Sequence, residues 1–318
     1  MPSKSSEFKF DLHQRYWSYI RTFHPGWSQF RDTKHPPEKG PPVFLLVFSD
    51  FNVISHPDSS LEMKQRLLDY IPPYEQHKWF RSMNSSQALA QSVFGNLAIY
   101  GCLQVLSDLL DDDDSPLFSG AQLSADHFRM EHKVVHLGEP QPTSLDVYFG
   151  GEYRVAIECK FTEAEVGSCS HVLMKYGHPT WCDGNYTLKG RTHRCPLTTT
   201  GVKYWEYVPE LFEWKNKEDI TPCPLYRNYQ LVRNVLAIGV QEDGSVSLEN
   251  GHVVLIYDER NPAFQERGKG YKAFVETKEA LRNPQMLRKA SWQNIIGSLR
   301  RNEILPWLTD ELQNKYGL

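Results

Sequence analysis

The stretch TSLDVYFGGEYRVAIECKF, Thr143 to Phe161, carries two runs of alternating side chains joined by a short Gly-Gly-Glu link. Successive side chains on a strand point to opposite faces. In the first run Leu145, Val147 and Phe149 therefore share one face, and Asp146 points the other way. In the second, Val155, Ile157, Cys159 and Phe161 face a core, while Arg154, Ala156, Glu158 and Lys160 take the opposite side. An acid and a lysine inside a strand are costly unless they pair or bind something. The link Gly150-Gly151-Glu152 predicts a tight antiparallel hairpin. A two-residue loop would oppose Asp146 to Val155 and put the acid on the core face. A three-residue loop opposes Asp146 to Ala156, which sets Asp146 beside Glu158 and keeps the apolar sets together. The second register is the one expected.

Two carboxylates and a lysine on one face form a site for Mg²⁺ or Mn²⁺ with an attached cation. Mg²⁺ takes hard oxygen ligands and keeps several waters, so Asp146, Glu158 and a carbonyl suffice. Such an ion polarises a phosphodiester and lowers the pKa of a bound water. Lys160 would place that water or stabilise charge on phosphorus.

An acid on one strand followed by Glu158-Cys159-Lys160 on the next, after a helix, resembles the PD-(D/E)xK nuclease superfamily. Within it, SSQALAQSVFG, TSLDVYF, IECKFTE and CPLYRNYQLVRN look like bacterial restriction-endonuclease-like proteins, over Ser85 to Asp258. The resemblance implies an α/β fold with an αβββαβ core around a mixed sheet. It also implies catalytic roles for Asp146, Glu158 and Lys160, and for Gln230 on the helix after the lysine strand. The superfamily's first helix often gives a glutamate to the metal; here Gln87 and Gln91 stand at those positions.

Around this centre, FRMEHKVV before the hairpin and HVVLIYD after it read as further strands, and Glu131 in the former either approaches the site or, as expected, is solvated. Leu89, Val93, Leu97 and Tyr100 recur at helical spacing in a helix starting near Ser85 or Ser86 and running to the acidic run Asp111 to Asp114. That run reads as a solvated loop. The first roughly 40 residues, ending in PPEKGPP, read as a peripheral arm with room for one short helix. VFLLVFSDF (Val43 to Phe51) reads as a strand or a segment packed on the core, and SSLEMKQRLLDYI as a helix capped by Ser60. Tyr229 to Val240 and the tail from Ser291 read as helices. The organisation expected is residues 1–84 as an N-terminal arm and helical region, 85–262 as the nuclease core with an insertion at 163–225, and 263–318 as a C-terminal helical extension.

The insertion is rich in Gly, Pro, Cys and His, and its one clear helix is VKYWEYVPELFEW. Cys169, Cys182, Cys195 and Cys223 lack the paired C-x-x-C spacing of ordinary zinc modules. They are expected to be either plain thiols or ligands of an iron–sulfur cluster or Zn²⁺ that orders the segment, clusters being carried by some nucleases of the superfamily it resembles. Cys102 and Cys159 read as buried thiols. Lys175, Tyr176, Lys189, Arg191, Arg194, Lys203, Tyr204 and Trp205 are candidates for gripping a phosphate backbone or stacking on bases, against surface decoration and a buried Tyr-Trp pair. Arg267, Lys269, Lys272, Arg300 and Arg301 are further candidates for the same contact.

Net charge of -4 and a pI near 6.3 argue against a protein that merely coats nucleic acid, but leave room for an enzyme with a basic face. There is no membrane-length apolar run and no signal-like start, so a cytoplasmic protein with reduced thiols is expected. Without G-x-S-x-G or a Walker loop, serine-hydrolase and nucleotide-binding readings fall away. What remains is a metal-dependent DNA endonuclease, of the restriction or defence kind, working on nucleic acid alone or as a homodimer. The alternatives are an RNA or structure-specific nuclease and an inactive nucleic-acid-binding module.

Overall fold

In the computed structural model, which describes residues 3–24, 26–190, 193–214 and 219–318, the alternating segments do form strands. They are β1 (Phe128–Val134), β2 (Thr143–Phe149), β3 (Arg154–Cys159), β4 (Gly251–Tyr257) and β5 (Leu287–Ser291). The sheet runs β1-β2-β3-β4-β5, with β1, β2 and β3 antiparallel and β3, β4 and β5 parallel. Parallel neighbours need a long crossover, and the chain supplies one between β3 and β4 and another between β4 and β5. β4 is buried along nearly its whole length, as a strand covered on both faces must be.

Helices cover both faces. On one side Val147, Phe149, Val155, Ile157 and Cys159 pack against α1 (Lys4–Phe23) and the helix that contains α3 (Ser86–Ala90) and α4 (Asn96–Ile99). Between α1 and α3 lies α2 (Leu61–Asp69), capped by Ser60 as expected. On the other side Ala156, Val253 and Leu255 pack against α5 (Tyr204–Leu211), α6 (Pro224–Gly239) and α7 (Lys269–Ala280). The C-terminal α8 (Trp292–Arg301) and α9 (Pro306–Tyr316) return to the first face. Among the described residues no helix is long and apolar enough to cross a membrane.

Several expectations are corrected. The N-terminal tract is no peripheral arm: α1 buries Leu12, Tyr16, Trp17 and Ile20 at helical spacing, and Tyr16 meets Tyr316 of α9 edge-on, 5.9 Å between rings. Of the two readings of VFLLVFSDF the strand fails and the packed segment holds in part: Val43 and Phe44 are buried, Phe44 in the core, and Leu46–Asn52 form a 3₁₀ turn. There Phe30 contacts the Phe48 and Phe51 rings, while Leu46 and Val47 stay 76% and 78% exposed. A short apolar run does not distinguish a strand from such a turn. The helix from Ser86 stops at Ile99 because Gly101, with φ of 67°, takes the left-handed conformation that ends a helix, and the Cys102 amide bonds the Leu97 carbonyl at 2.7 Å. A π turn over Gln91–Gly95 interrupts the same helix. α7 and β5 lie in a region expected only to carry helix from Ser291 onward. LRKAS hid its strand behind Arg288, whose guanidinium is buried against Pro116 and Ser119. The acidic run is a loop, but an anchored one: Asp113 pairs with Lys278 and Asp112 with Lys289.

Lys315 of α9 is buried without a carboxylate in contact; its ammonium donates to the Asn52 carbonyl at 2.6 Å and to Asn52 Oδ1 at 3.0 Å. Burial lowers its pKa to about 7 from 10.5, with Glu311 opposing. Between those values the unfolded chain holds the proton and the folded chain releases it, so stability rises with pH in that window and is flat below it. Thermal unfolding should therefore show Tm climbing from pH 7 to pH 9. In Lys315→Met the climb should be shallower, whatever the offset in Tm. Equal slopes in the two proteins would refute the assignment.

Candidate active site

The β2–β3 ladder pairs Val147 with Ile157, Tyr148 with Ala156 and Phe149 with Val155, which sets Asp146 opposite Glu158. The parity argument from sequence puts the two acids on one face, and so they lie. The loop, however, is longer than expected, since Gly150 to Arg154 are all spanned by the Phe149–Val155 pair. The reason is Tyr153. Its hydroxyl bonds His252 Nδ1 at 3.0 Å and its ring closes on Gly120, so it leaves the ladder. Register moves by two residues, side-chain direction is preserved, and Asp146 comes directly across from Glu158 rather than diagonal to it.

Each acid is held by named partners. Asp146 Oδ2 accepts the Cys159 amide at 2.7 Å, which leaves Oδ1 for a ligand. Glu158 is 1% exposed; Oε1 meets Lys160 Nζ at 2.8 Å and Oε2 accepts from Asn234 Nδ2 at 2.7 Å. Lys160 donates in turn to Gln230 Oε1 at 2.9 Å. α6 supplies both Gln230 and Asn234, four residues apart on one face. Gly167, at φ of 112°, closes over that helix: a Cβ there would lie 2.4 Å from Gln230 Oε1, so only glycine fits.

A third carboxylate joins from β1. Met130 pairs with Val147 and His132 with Leu145, so Glu131 stands across from Asp146. Its backbone is left-handed, φ 48°, an unfavourable conformation for a side-chain-bearing residue that the ladder on either side holds in place. Glu131 is not solvated as expected: it accepts from Gln87 Nε2 and Ser144 Oγ, each at 2.6 Å. Glu163 lies near Lys160 and accepts from Ser86 Oγ at 2.7 Å and the Phe161 amide at 2.6 Å. Of the two helix glutamines, Gln87 thus belongs to the site, while Gln91 turns away to the Leu67 carbonyl.

The charges are strongly coupled. Desolvation, then Glu158 and Glu131, push the Asp146 carboxyl well above the ordinary range, against Lys160 and the Cys159 amide. Desolvation also raises Glu131, against its hydrogen bonds from Ser144 and Gln87. Burial alone would lower the Lys160 pKa, but Glu158, Glu163 and Asp146 override it and keep the ammonium charged. Among the described residues no three His, Cys, Asp or Glu side chains close on one metal ion. The donors that are present, Asp146 Oδ1 and the Glu158 oxygens, are hard and mutually repelling. Together with the orphaned buried Asn234 Oδ1, they fit Mg²⁺ or Mn²⁺ bound by two carboxylates and water rather than in a protein cage.

The basic and aromatic residues of the insertion divide. Trp205 is buried, stacked on Tyr186 at 3.6 Å, and Tyr204 is buried on Glu139 and Tyr229, so neither presents a face to a base. Lys189 pairs with Asp183 and Arg194 with Asp219. Lys175, Tyr176 and Lys203 stay exposed, and Arg191 lies outside the described residues. Arg267, Lys269, Lys272 and Arg301 are exposed, whereas Arg300 caps the C-terminus through the Leu318 carbonyl at 2.7 Å. Asn234, Glu163 and Ser144 were not singled out from sequence. Asn234 had a signal, its four-residue spacing from Gln230; Glu163 and Ser144 had none.

Compared with known families, the model described as Restriction Endonuclease associating with ARP matches residues 33–317. No curated protein and no solved structure matches the chain.

Because the Asp146 carboxyl is raised, its ionisation destabilises the metal-free fold above that pKa, and the penalty disappears as pH falls toward 3.8. Asp146→Asn should raise the Tm of metal-free protein at neutral pH by on the order of a few °C, with the gain fading at acid pH. Added Mg²⁺ or Mn²⁺ should raise Tm in the unaltered protein and not in the variant. A variant that loses stability at neutral pH, or gains as much from the ion, would contradict the site.

Proposed function

The chain belongs to the family of restriction endonucleases associating with ARP, and we propose that it is a metal-dependent phosphodiesterase of the PD-(D/E)xK kind that cuts DNA. One observation carries the reading: Asp146 opposes Glu158 across neighbouring strands, with Lys160 on Glu158 at 2.8 Å and Gln230 on Lys160 at 2.9 Å. Repelling acids, a cation held charged and an amide that orients it are what in-line attack on a phosphodiester requires.

In this mechanism Asp146 Oδ1 and Glu158 would hold the cation, and Asn234 keeps the Glu158 carboxylate from rotating. The chemistry supplied there by Mg²⁺ or Mn²⁺ would be Lewis acidity and a water made nucleophilic near neutral pH. Lys160, whose ammonium Glu158, Glu163 and Asp146 keep charged in the metal-free protein, acts as a donor to a nonbridging phosphoryl oxygen or to the attacking water. Gln230 fixes the direction of its ammonium. Attack forms one phosphorus–oxygen bond as the bond to the leaving sugar oxygen breaks. Placement of such a site in a restriction endonuclease family supports a defence role.

Incubation with duplex DNA, single-stranded DNA and RNA, each with Mg²⁺ or EDTA, tests this. Cleavage of duplex DNA that EDTA stops is expected. Asp146→Asn and Glu158→Gln should abolish it with folding retained by circular dichroism, and Lys160→Met should slow it by roughly 10²–10³-fold. Cleavage of RNA alone would move the substrate to RNA. Undiminished cutting by the Asp146 or Glu158 variant would sink the assignment.

A further inference from the structure

The insertion between β3 and α6 brings together four thiols from far apart in the chain, Cys169 to Cys223 spanning 54 positions (223 minus 169). Backbone hydrogen bonds stitch three of the segments to one another. The Cys169 amide donates to the Tyr226 carbonyl at 2.8 Å, that of Cys223 to Gly184 at 2.7 Å, and that of Cys182 to His171 at 3.3 Å. Cys195 joins through Tyr186, whose ring lies near both Cys195 and Cys223 and whose backbone pairs with Ile220. All six pairings among Cys169, Cys182, Cys195 and Cys223 are close enough for the sulfurs to feel one another's charge.

The local geometry repeats at each. The Gly184 amide donates to Cys182 Sγ at 3.4 Å, two residues along the chain. The amides of His171 on Cys169, Leu197 on Cys195 and Leu225 on Cys223 stand in the same relation, each placed to stabilise a thiolate. A buried thiol kept for packing has no need of an amide aimed at its sulfur, and four unrelated turns have no packing reason to share one arrangement. A structural disulfide would join sulfurs in pairs, yet all four cysteines are free. Burial keeps Cys169, Cys195 and Cys223 as thiols in the metal-free protein, and a soft cation that the four sulfurs surround would displace their protons.

We propose that Cys169, Cys182, Cys195 and Cys223 are the four ligands of a soft-metal centre, a zinc ion or an iron–sulfur cluster, that orders the insertion. The sulfurs do not already close on a single ion. A lone zinc, which holds sulfur at about 2.3 Å, would have to draw them in, and a cluster accepts them farther apart. The centre also bears on the active site. Cys223 caps α6, the helix that delivers Gln230 and Asn234, and Gly167, two residues before Cys169, accepts the Gln230 amide at 3.3 Å. Metal at the cysteines fixes the start of that helix.

Elemental analysis of the full chain, purified both without oxygen and in air, decides the matter without recourse to cleavage. Expected is either one zinc per chain, or iron with acid-labile sulfide and sulfur-to-iron charge-transfer absorption in the visible; the two arms identify the metal. Each of Cys169→Ser, Cys182→Ser, Cys195→Ser and Cys223→Ser should lose that metal, while Cys102→Ser keeps it. Should the serine variants fail to fold, thiol titration of the unaltered protein serves instead. Four thiols should be protected from a thiol reagent until a chelator or acid strips the metal. Protein that is metal-free after both purifications, or four thiols equally reactive before and after stripping, overturns the proposal. Because metal content is the readout, a negative result here leaves the phosphodiesterase reading untouched, and the reverse also holds.

Discussion

Asp146 and Glu158 face each other across adjacent strands, with Glu131 on the far side of Asp146, and the rest of the fold has to hold three acids where they repel. Left to itself such a group would spread apart or take up a proton. It is kept together because both faces of the sheet are packed. Val147, Phe149, Val155, Ile157 and Cys159 key one face into α1, α3, α4 and α8, and Ala156 keys the other into the α6 side. A slip of one residue between β2 and β3 would drive Asp146 into the apolar layer packed on α1 and α3 and take Val147 out of it, so the apolar pattern fixes the acidic one. The strain shows at Glu131, whose left-handed backbone is tolerated only because the ladder resumes in the same register on either side.

α6 then completes what the sheet begins. A bare row of acids with one lysine has many side-chain arrangements. Gln230 reduces these by accepting a hydrogen bond from Lys160 and Asn234 by donating one to Glu158, and their spacing of four puts both on the helix face that meets β3. Neither amide changes charge with pH, so they set direction without altering the electrostatic balance. Lys160 and Glu158 are thereby oriented before any ligand arrives, which lowers the reorganisation that a reaction would require.

The sequence was informative where chemistry and periodicity coincide. Alternation in SLDVYF and YRVAIECKF placed Asp146, Glu158 and Lys160 on one side, and the period of the flanking segments marked β1 and β4 as strands, while β5 went unread. The hairpin length was not legible, because Tyr153 leaves the ladder to reach His252, a residue 99 positions away. From sequence Glu131 reads as solvated, with an approach to the site as the lesser alternative, because it is polar in a strand whose neighbours are mixed; the three-dimensional pairing shows it opposite Asp146. The N-terminal helix reads only as short and peripheral, since its apolar positions, Leu12, Tyr16 and Ile20, sit among many aromatic and charged residues, and its partner α9 lies at the other end of the chain. In each case the deciding contact is long in sequence and has no local signature.

The two proposed centres are kept distinct by ligand chemistry. Carboxylate oxygens are hard and favour Mg²⁺ or Mn²⁺, whereas thiolates are soft and favour zinc or iron–sulfur clusters. α6 touches both: Cys223 caps its start and Asn234 reaches Glu158 in its third turn. An ion bound at the cysteines would therefore act on the carboxylates through the placement of this helix, which bends at Asn228 between the two sites, with no charge passing between them. That would separate two roles that one metal would have to combine. A labile ion at Asp146 and Glu158 would exchange with solvent and substrate during turnover, while a tightly held one would fix the start of the helix that orients Lys160.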